Sequence, residues 1–247
     1  MPPLLEVDGV TSGYGKVEIL HDLKIGVPEG TVVALLGPNG AGKTTTLRVI
    51  SGTLPVWHGQ VMYDGQRLDG RSAYDIARRG ITLVPEGRGI FPGLNVKENL
   101  DIGVRASTVG AAGTAGQNGE GRRERVETVL ETFPRLRERL SQRAGTLSGG
   151  EQQMLALSRA FLGNPRVLLM DEISMGLAPR IVEQLFESVN ELRKRGLTIV
   201  LVEQYLTYAL RFADICYVLA KGRIEFVGEA SELRDSEALA SSYLGGG

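Results

Sequence analysis

The sequence is poor in the side chains that staple proteins or cluster metals. A single cysteine, Cys216, excludes an intramolecular disulfide framework and a thiolate zinc cluster. Two histidines, His21 and His58, are too few for a histidine-rich metal site. Neither sign of charge is in excess: 28 Lys and Arg face 29 Asp and Glu, for a net charge of −1. No electrostatic footprint for nucleic acid or an anionic membrane follows from that balance. Long apolar runs are missing too. Val32–Leu36, Val167–Met170 and Ile199–Val202 are the longest, far below the roughly 20 residues that span a bilayer. Residues 1–6 carry no basic region followed by an apolar stretch, so no secretory leader is expected. A soluble protein of the reducing cytoplasm fits these absences.

Glycine is what the sequence has in plenty: 33 residues in 247, nearly twice the average usage of about 7%. The length allows one large domain or one with a lobe attached. Alternation predicts a half-buried strand over Leu4–Val10 and another over Val17–Val27. Thr31–Leu36, Arg166–Asp171 and Thr198–Glu203 read as buried strands, and Gln60–Tyr63, Ile81–Val84, Asp214–Leu219 and Arg223–Val227 as further strands. Helices are predicted over Lys43–Ser51, Glu151–Gly163, Arg180–Arg195 and Gln204–Phe212, with a short one opened by a capping box at Ser72–Asp75. Strands alternating with helices predict a largely parallel sheet covered on both faces. Val96–Val104 and Arg122–Leu140 read as extra helices, joined by a flexible loop over Ala106–Gly121. They make residues 88–143, approximately, an inserted helical lobe.

Gly37-Pro38-Asn39-Gly40-Ala41-Gly42-Lys43-Thr44 matches G-x-x-x-x-G-K-[ST], between a buried strand and a helix, with Thr45 next in the run. Successive backbone N–H groups of such a loop wrap phosphates, and the helix N-terminus adds its positive end. Lys43 then reaches the β- and γ-phosphates and the Thr44 hydroxyl binds Mg²⁺. A carboxylate is needed on a neighbouring strand, and Val167-Leu168-Leu169-Met170-Asp171 ends on one. Asp171 is the candidate Mg²⁺ ligand. Glu172, where the chain turns, is the candidate base for the attacking water. A second anion site is offered by Leu147-Ser148-Gly149-Gly150-Glu151-Gln152-Gln153, a capped helix start.

The phosphate loop and this second motif together resemble the ABC ATPase family over about Leu4–Val227. The resemblance implies an α/β fold of the P-loop NTPase class: a mostly parallel core sheet, an N-terminal antiparallel β region and the inserted helical subdomain, in one domain spanning 1–247. It implies ATP with Mg²⁺, and a head-to-tail dimer in which Ser148, Gly149, Gly150 and Glu151 cap the nucleotide of the other subunit. Tyr14 matches the aromatic residue that stacks on adenine, and the lobe matches the part that rests on the membrane subunit.

Three positions depart from the family's usual pattern. Glu86 stands where Gln usually touches Mg²⁺ and the attacking water; Gln204 stands where His usually contacts the γ-phosphate; Ala178 replaces a common Asp at the dimer seam. Gln204 can donate a hydrogen bond but carries no charge. Glu172 is kept, so hydrolysis is still expected. Pro85-Glu86-Gly87-Arg88, Gly176-Leu177-Ala178-Pro179 and Val202-Glu203-Gln204 resemble one ATPase subunit of branched-chain amino acid importers. That resemblance implies membrane-embedded permease subunits, a second and different ATPase subunit (a homodimer being the alternative), an extracytoplasmic solute-binding protein reached indirectly, and a peripheral position on the cytoplasmic face of the membrane. An importer of urea or amides and a non-transport soluble ABC ATPase are the competing readings. The second of these usually carries a long coiled-coil insertion or two ATPase domains, which are not seen here.

Overall fold

A computed structural model describes residues 2–110, 119–194, 196–203 and 205–235. In chain order the elements are β1 (Leu5–Tyr14), β2 (Val17–Val27), β3 (Val32–Leu36), α1 (Lys43–Ile50), β4 (His58–Tyr63), β5 (Gln66–Arg67), α2 (Ala73–Arg78) and β6 (Ile81–Val84). Three helices follow, α3 (Val96–Gly110), α4 (Gly119–Thr132) and α5 (Pro134–Arg137). The chain then returns to alternation with α6 (Gly149–Leu162), β7 (Val167–Asp171), α7 (Pro179–Arg193), β8 (Thr198–Val202), α8 (Leu206–Phe212), β9 (Ile215–Ala220), β10 (Arg223–Glu229) and α9 (Ala230–Asp235).

Two sheets result. Four antiparallel strands run in the order β2-β1-β4-β5, and six run β10-β9-β3-β8-β7-β6. In the larger sheet β9, β3, β8, β7 and β6 are parallel and only the edge strand β10 is antiparallel. The expected mostly parallel core and N-terminal antiparallel region are both present. Side chains alternate faces along a strand, so each central strand feeds two cores. Val32, Ala34, Leu36, Leu168, Met170, Ile199 and Leu201 join one cluster. Val33, Leu35, Val167, Leu169, Val200 and Val202 join the other, with Leu47, Val49 and Ile50 of α1 and the antiparallel sheet. This parity aims Asp171 at α1, because it follows Val167 and Leu169 in step.

The helical segment does not have a core of its own. Val96, Leu100, Val129, Leu130, Phe133 and Leu136 lie in the same buried cluster as Leu168 and Met170 of β7. The structure corrects three details of the sequence reading. One helix over Arg122–Leu140 was expected, but α4 stops at Thr132 and α5 starts at Pro134, because proline lacks the N–H and clashes with the preceding turn. Helix reaches into the expected Ala106–Gly121 loop from both sides, α3 to Gly110 and α4 from Gly119, and 111–118 lie outside the described residues. At α2 the Ser72 Oγ accepts from the Asp75 N–H at 3.1 Å and donates to the Asp75 carboxylate at 2.7 Å. The reciprocal half of a capping box is made at α6 instead, where a longer Glu reaches back. Among the described residues no helix is long and apolar enough to cross a membrane.

Phe186 of α7 is fully buried and stacks on Tyr208 and Phe212, with ring centroids 5.6 and 5.0 Å away. It holds α7 and α8 against the sheet. Phe186→Ala should cost about 3–5 kcal/mol of stability, the usual loss for a buried Phe. Denaturant unfolding checks this, and a loss no larger than that of the exposed Tyr74→Ala would contradict it.

Candidate functional site

The phosphate loop joins β3 to α1. At Gly37 the backbone takes φ 141° and an added Cβ would lie 2.1 Å from the Leu219 carbonyl oxygen, so only glycine fits. Pro38, Asn39 and Gly40 are exposed, whereas Ala41, Gly42 and Thr45 are buried. Lys43 is also buried, and its Nζ donates to the carbonyls of Gly37 at 2.9 Å and Pro38 at 3.0 Å. The amine thus closes the loop on itself. Burial pushes its pKa down, against the pull of the Glu172 and Asp171 carboxylates.

Thr44 Oγ1 donates to Asp171 Oδ1 at 2.9 Å, which ties the start of α1 to the end of β7. Asp171 is 4% exposed. Burial holds its carboxyl above the ordinary range; the Thr44 hydroxyl opposes this, and the charges of Glu172 and Glu86 add to it. The lobe-junction residue Glu86 is therefore within electrostatic reach of Asp171. Glu172 turns away from the strand with φ 48°, and its N–H donates to the Val202 carbonyl at 2.9 Å. Of the residues singled out from the sequence, Lys43, Thr44, Asp171, Glu172 and Glu86 lie near one another. Tyr14 ends β1 on the surface, its hydroxyl accepting from Arg48 of α1 at 2.9 Å and the Arg48 guanidinium lying over its ring, 5.9 Å from the centroid. Gln204 lies outside the described residues.

Ser148, Gly149, Gly150 and Glu151 lie together at the start of α6. Ser148 caps α6, its N–H donating to Glu151 Oε2 at 2.9 Å in a complete capping box. Burial pushes the Glu151 pKa up, but the Ser148 hydrogen bonds and Arg139 together outweigh it and leave the group below its ordinary value. A Cβ on Gly150 would meet Ile181 of α7 at 2.4 Å, so a small residue is required where the two helices touch. Sequence reading overlooked Arg88 and Gln152. Arg88 takes φ 74° between two left-handed glycines and donates to Gln152 Oε1. Gln152 Nε2 in turn donates to the carbonyls of Ala144 at 3.2 Å and Leu147 at 3.1 Å. The Glu86 junction is thereby wired to the turn before Ser148. Glu203 was overlooked as well, although it ends an apolar strand just as Asp171 does.

Residues 20–174 match the ABC transporter family. The chain belongs to that family. It is 43% identical over 98% of its length and the whole of the relative to the high-affinity branched-chain amino acid transport ATP-binding protein BraG of Pseudomonas aeruginosa. Among solved structures, the ADP conformation of an ABC transporter cassette superposes with a TM-score of 0.84 at 27% identity, covering both chains fully. A dimeric cassette bound to ADP and phosphate superposes with a TM-score of 0.77 at 26% identity, over 92% of this chain and 98% of that one. The protein is an ABC ATPase domain and a nucleotide-binding cassette.

A carboxyl with a raised folded pKa holds its proton more tightly folded than unfolded. Its contribution to stability therefore falls as pH rises from the ordinary value of 3.8 to the raised one, and stays unfavourable above. At pH 7 the nucleotide-free cassette should unfold at a higher temperature as Asp171→Asn than as wild type, and the gap should narrow toward pH 4. A wild type more stable than the variant at pH 7 would contradict the burial cost assigned to Asp171.

Proposed function

We propose that this cassette hydrolyses ATP in a head-to-tail pair with a second ATPase subunit, at the cytoplasmic face of a membrane, and powers the import of branched-chain amino acids. The observation that carries the reading is the cluster of Lys43, Thr44, Asp171 and Glu172 in a chain that matches BraG end to end. The loop Gly37–Thr44 presents backbone N–H groups to the phosphates. Lys43 exchanges the Gly37 and Pro38 carbonyls for phosphate oxygens and places a positive charge there. Thr44 and Asp171 would hold Mg²⁺, with Glu86 nearby. A hydroxyl and one carboxylate suit an ion that keeps its water and phosphate ligands, and no cluster of three metal-ligating side chains occurs among the described residues. When bound, the ion neutralises charge on the phosphates. Glu172 accepts the proton of the attacking water. Gln204 donates a hydrogen bond to the γ-phosphate, and Tyr14 stacks on the adenine.

Ser148, Gly149, Gly150 and Glu151 act on the nucleotide held by the other subunit, the helix N-terminus of α6 facing its γ-phosphate. With a different partner the two sites are unlike, and the one with Glu86 and Gln204 is the weaker. The helical segment, residues 88–143, rests on membrane-embedded permease subunits, and an extracytoplasmic solute-binding protein delivers the solute to them. Uptake of labelled leucine, isoleucine or valine by vesicles holding the chain with its permeases tests the solute; uptake of urea and none of the three overturns it.

Glu172→Gln should keep ATP binding and lose about 10²–10⁴-fold in hydrolysis, the usual worth of a general base. Steady-state ATPase of the assembled complex is the measurement, and activity within a few-fold of wild type removes Glu172 from the role of base. Ser148→Arg should impair hydrolysis by the assembled complex while the isolated chain binds ATP as before. Equal loss of binding by the isolated chain would contradict a site completed across the dimer.

A further inference from the structure

β8 ends at Val202, and the next side chain, Glu203, is only 3% exposed. A carboxylate taken out of water is costly to hold, yet the hydrolysis described above does not use it. Both of its oxygens accept from Ser174. Oε1 accepts the N–H of Ser174 at 3.1 Å, and Oε2 accepts the Ser174 hydroxyl. Ser174 is itself fully buried. It lies two residues beyond Glu172 in a tight turn: the Met175 N–H donates to the Glu172 carbonyl at 3.2 Å, and the Leu177 N–H to the Ser174 carbonyl at 3.2 Å. Glu172 is left-handed at φ 48°, a conformation that must be held from outside. The end of β8 holds it twice, through the Val202 carbonyl on the Glu172 N–H and through the Glu203 carboxylate on Ser174. Beyond the second anchor the chain emerges as the exposed Met175 and Gly176. A carboxylate suits the task because it only accepts, and takes both donors of Ser174 in charge-assisted bonds.

We propose that Glu203 is a positioning residue for ATP hydrolysis: by gripping Ser174 at its N–H and hydroxyl, it fixes the turn that aims the Glu172 carboxylate. The inference rests on Glu172 being the base. Glu203 touches no substrate and acts through Glu172, so its removal changes the rate and leaves ATP binding alone.

In the complete transporter, Glu203→Gln should lower kcat about 10- to 100-fold with KM for ATP within about twofold, the scale of a displaced catalytic group. The full-length chain carrying the substitution should bind ATP as wild type does. Ser174→Ala, which leaves only the N–H bond, should lose a smaller factor in kcat, and Ser174→Thr should recover it. Added to Glu172→Gln, Glu203→Gln should cost nothing further. Wild-type kcat in folded Glu203→Gln, parallel losses of kcat and ATP affinity, or a multiplicative loss in the Glu172→Gln background each overturn the proposal. If Glu203→Gln does not fold, Ser174→Ala and Ser174→Thr decide it by the same readouts. Wild-type turnover by Glu172→Gln overturns the assignment of the base and this inference with it. An inactive Glu172→Gln beside a fully active Glu203→Gln overturns this inference alone.

Discussion

Three strands buried on both faces, β3, β7 and β8, stand side by side in parallel, and the phosphate loop and three acids, Asp171, Glu172 and Glu203, hang from their carboxyl ends. Parallel strands bring those ends to one edge of the sheet, where open α/β folds bind their ligands. The phosphate loop leaves β3, Asp171 and Glu172 leave β7, and Glu203 leaves β8. The bond from Thr44 to Asp171 and the bond from the Glu172 N–H to Val202 then lock the three exits together. A shift of one residue in any of these strands would turn its apolar side chains to the wrong core and its acid to the wrong face.

The site pays in stability for its chemistry. Lys43, Asp171 and Glu203 are all nearly inaccessible to water, and burying charge is unfavourable unless it is paired. The pairing is deliberately provisional at Lys43, which rests on backbone carbonyls that phosphate oxygens can replace. It is permanent at Glu203, whose bonds to Ser174 are internal to the fold. The difference sets Lys43, held by its own loop, apart from Glu203, held across two strand ends.

The capping motif at Ser148 is self-sufficient as a helix start, with its own hydrogen bonds and its contact with α7. Its link to the rest of the site runs through Arg88 and Gln152, from the junction that carries Glu86. Because the inserted helices share a buried cluster with β7, a displacement at this junction is resisted by the main core and not only by a hinge.

The sequence alone determined the phosphate loop, the Asp171-Glu172 pair, the capped start of α6 and the order of strands and helices, because each is a local pattern: contiguous residues, short spacings and a period of two or 3.6. Strand order was beyond it, as was the unbroken core under the helical segment, since both depend on which faces meet across the chain. The break at Pro134 is local in origin, set by proline's missing N–H, although the charged pattern continues on either side. Glu203 and Ser174 are 29 residues apart, and nothing local pairs an acid with a serine at that distance. Only the parallel register of β7 and β8, which sets Asp171 beside Val202, brings the end of one strand to the turn after the other, and so puts Glu203 against Ser174, two residues past Glu172.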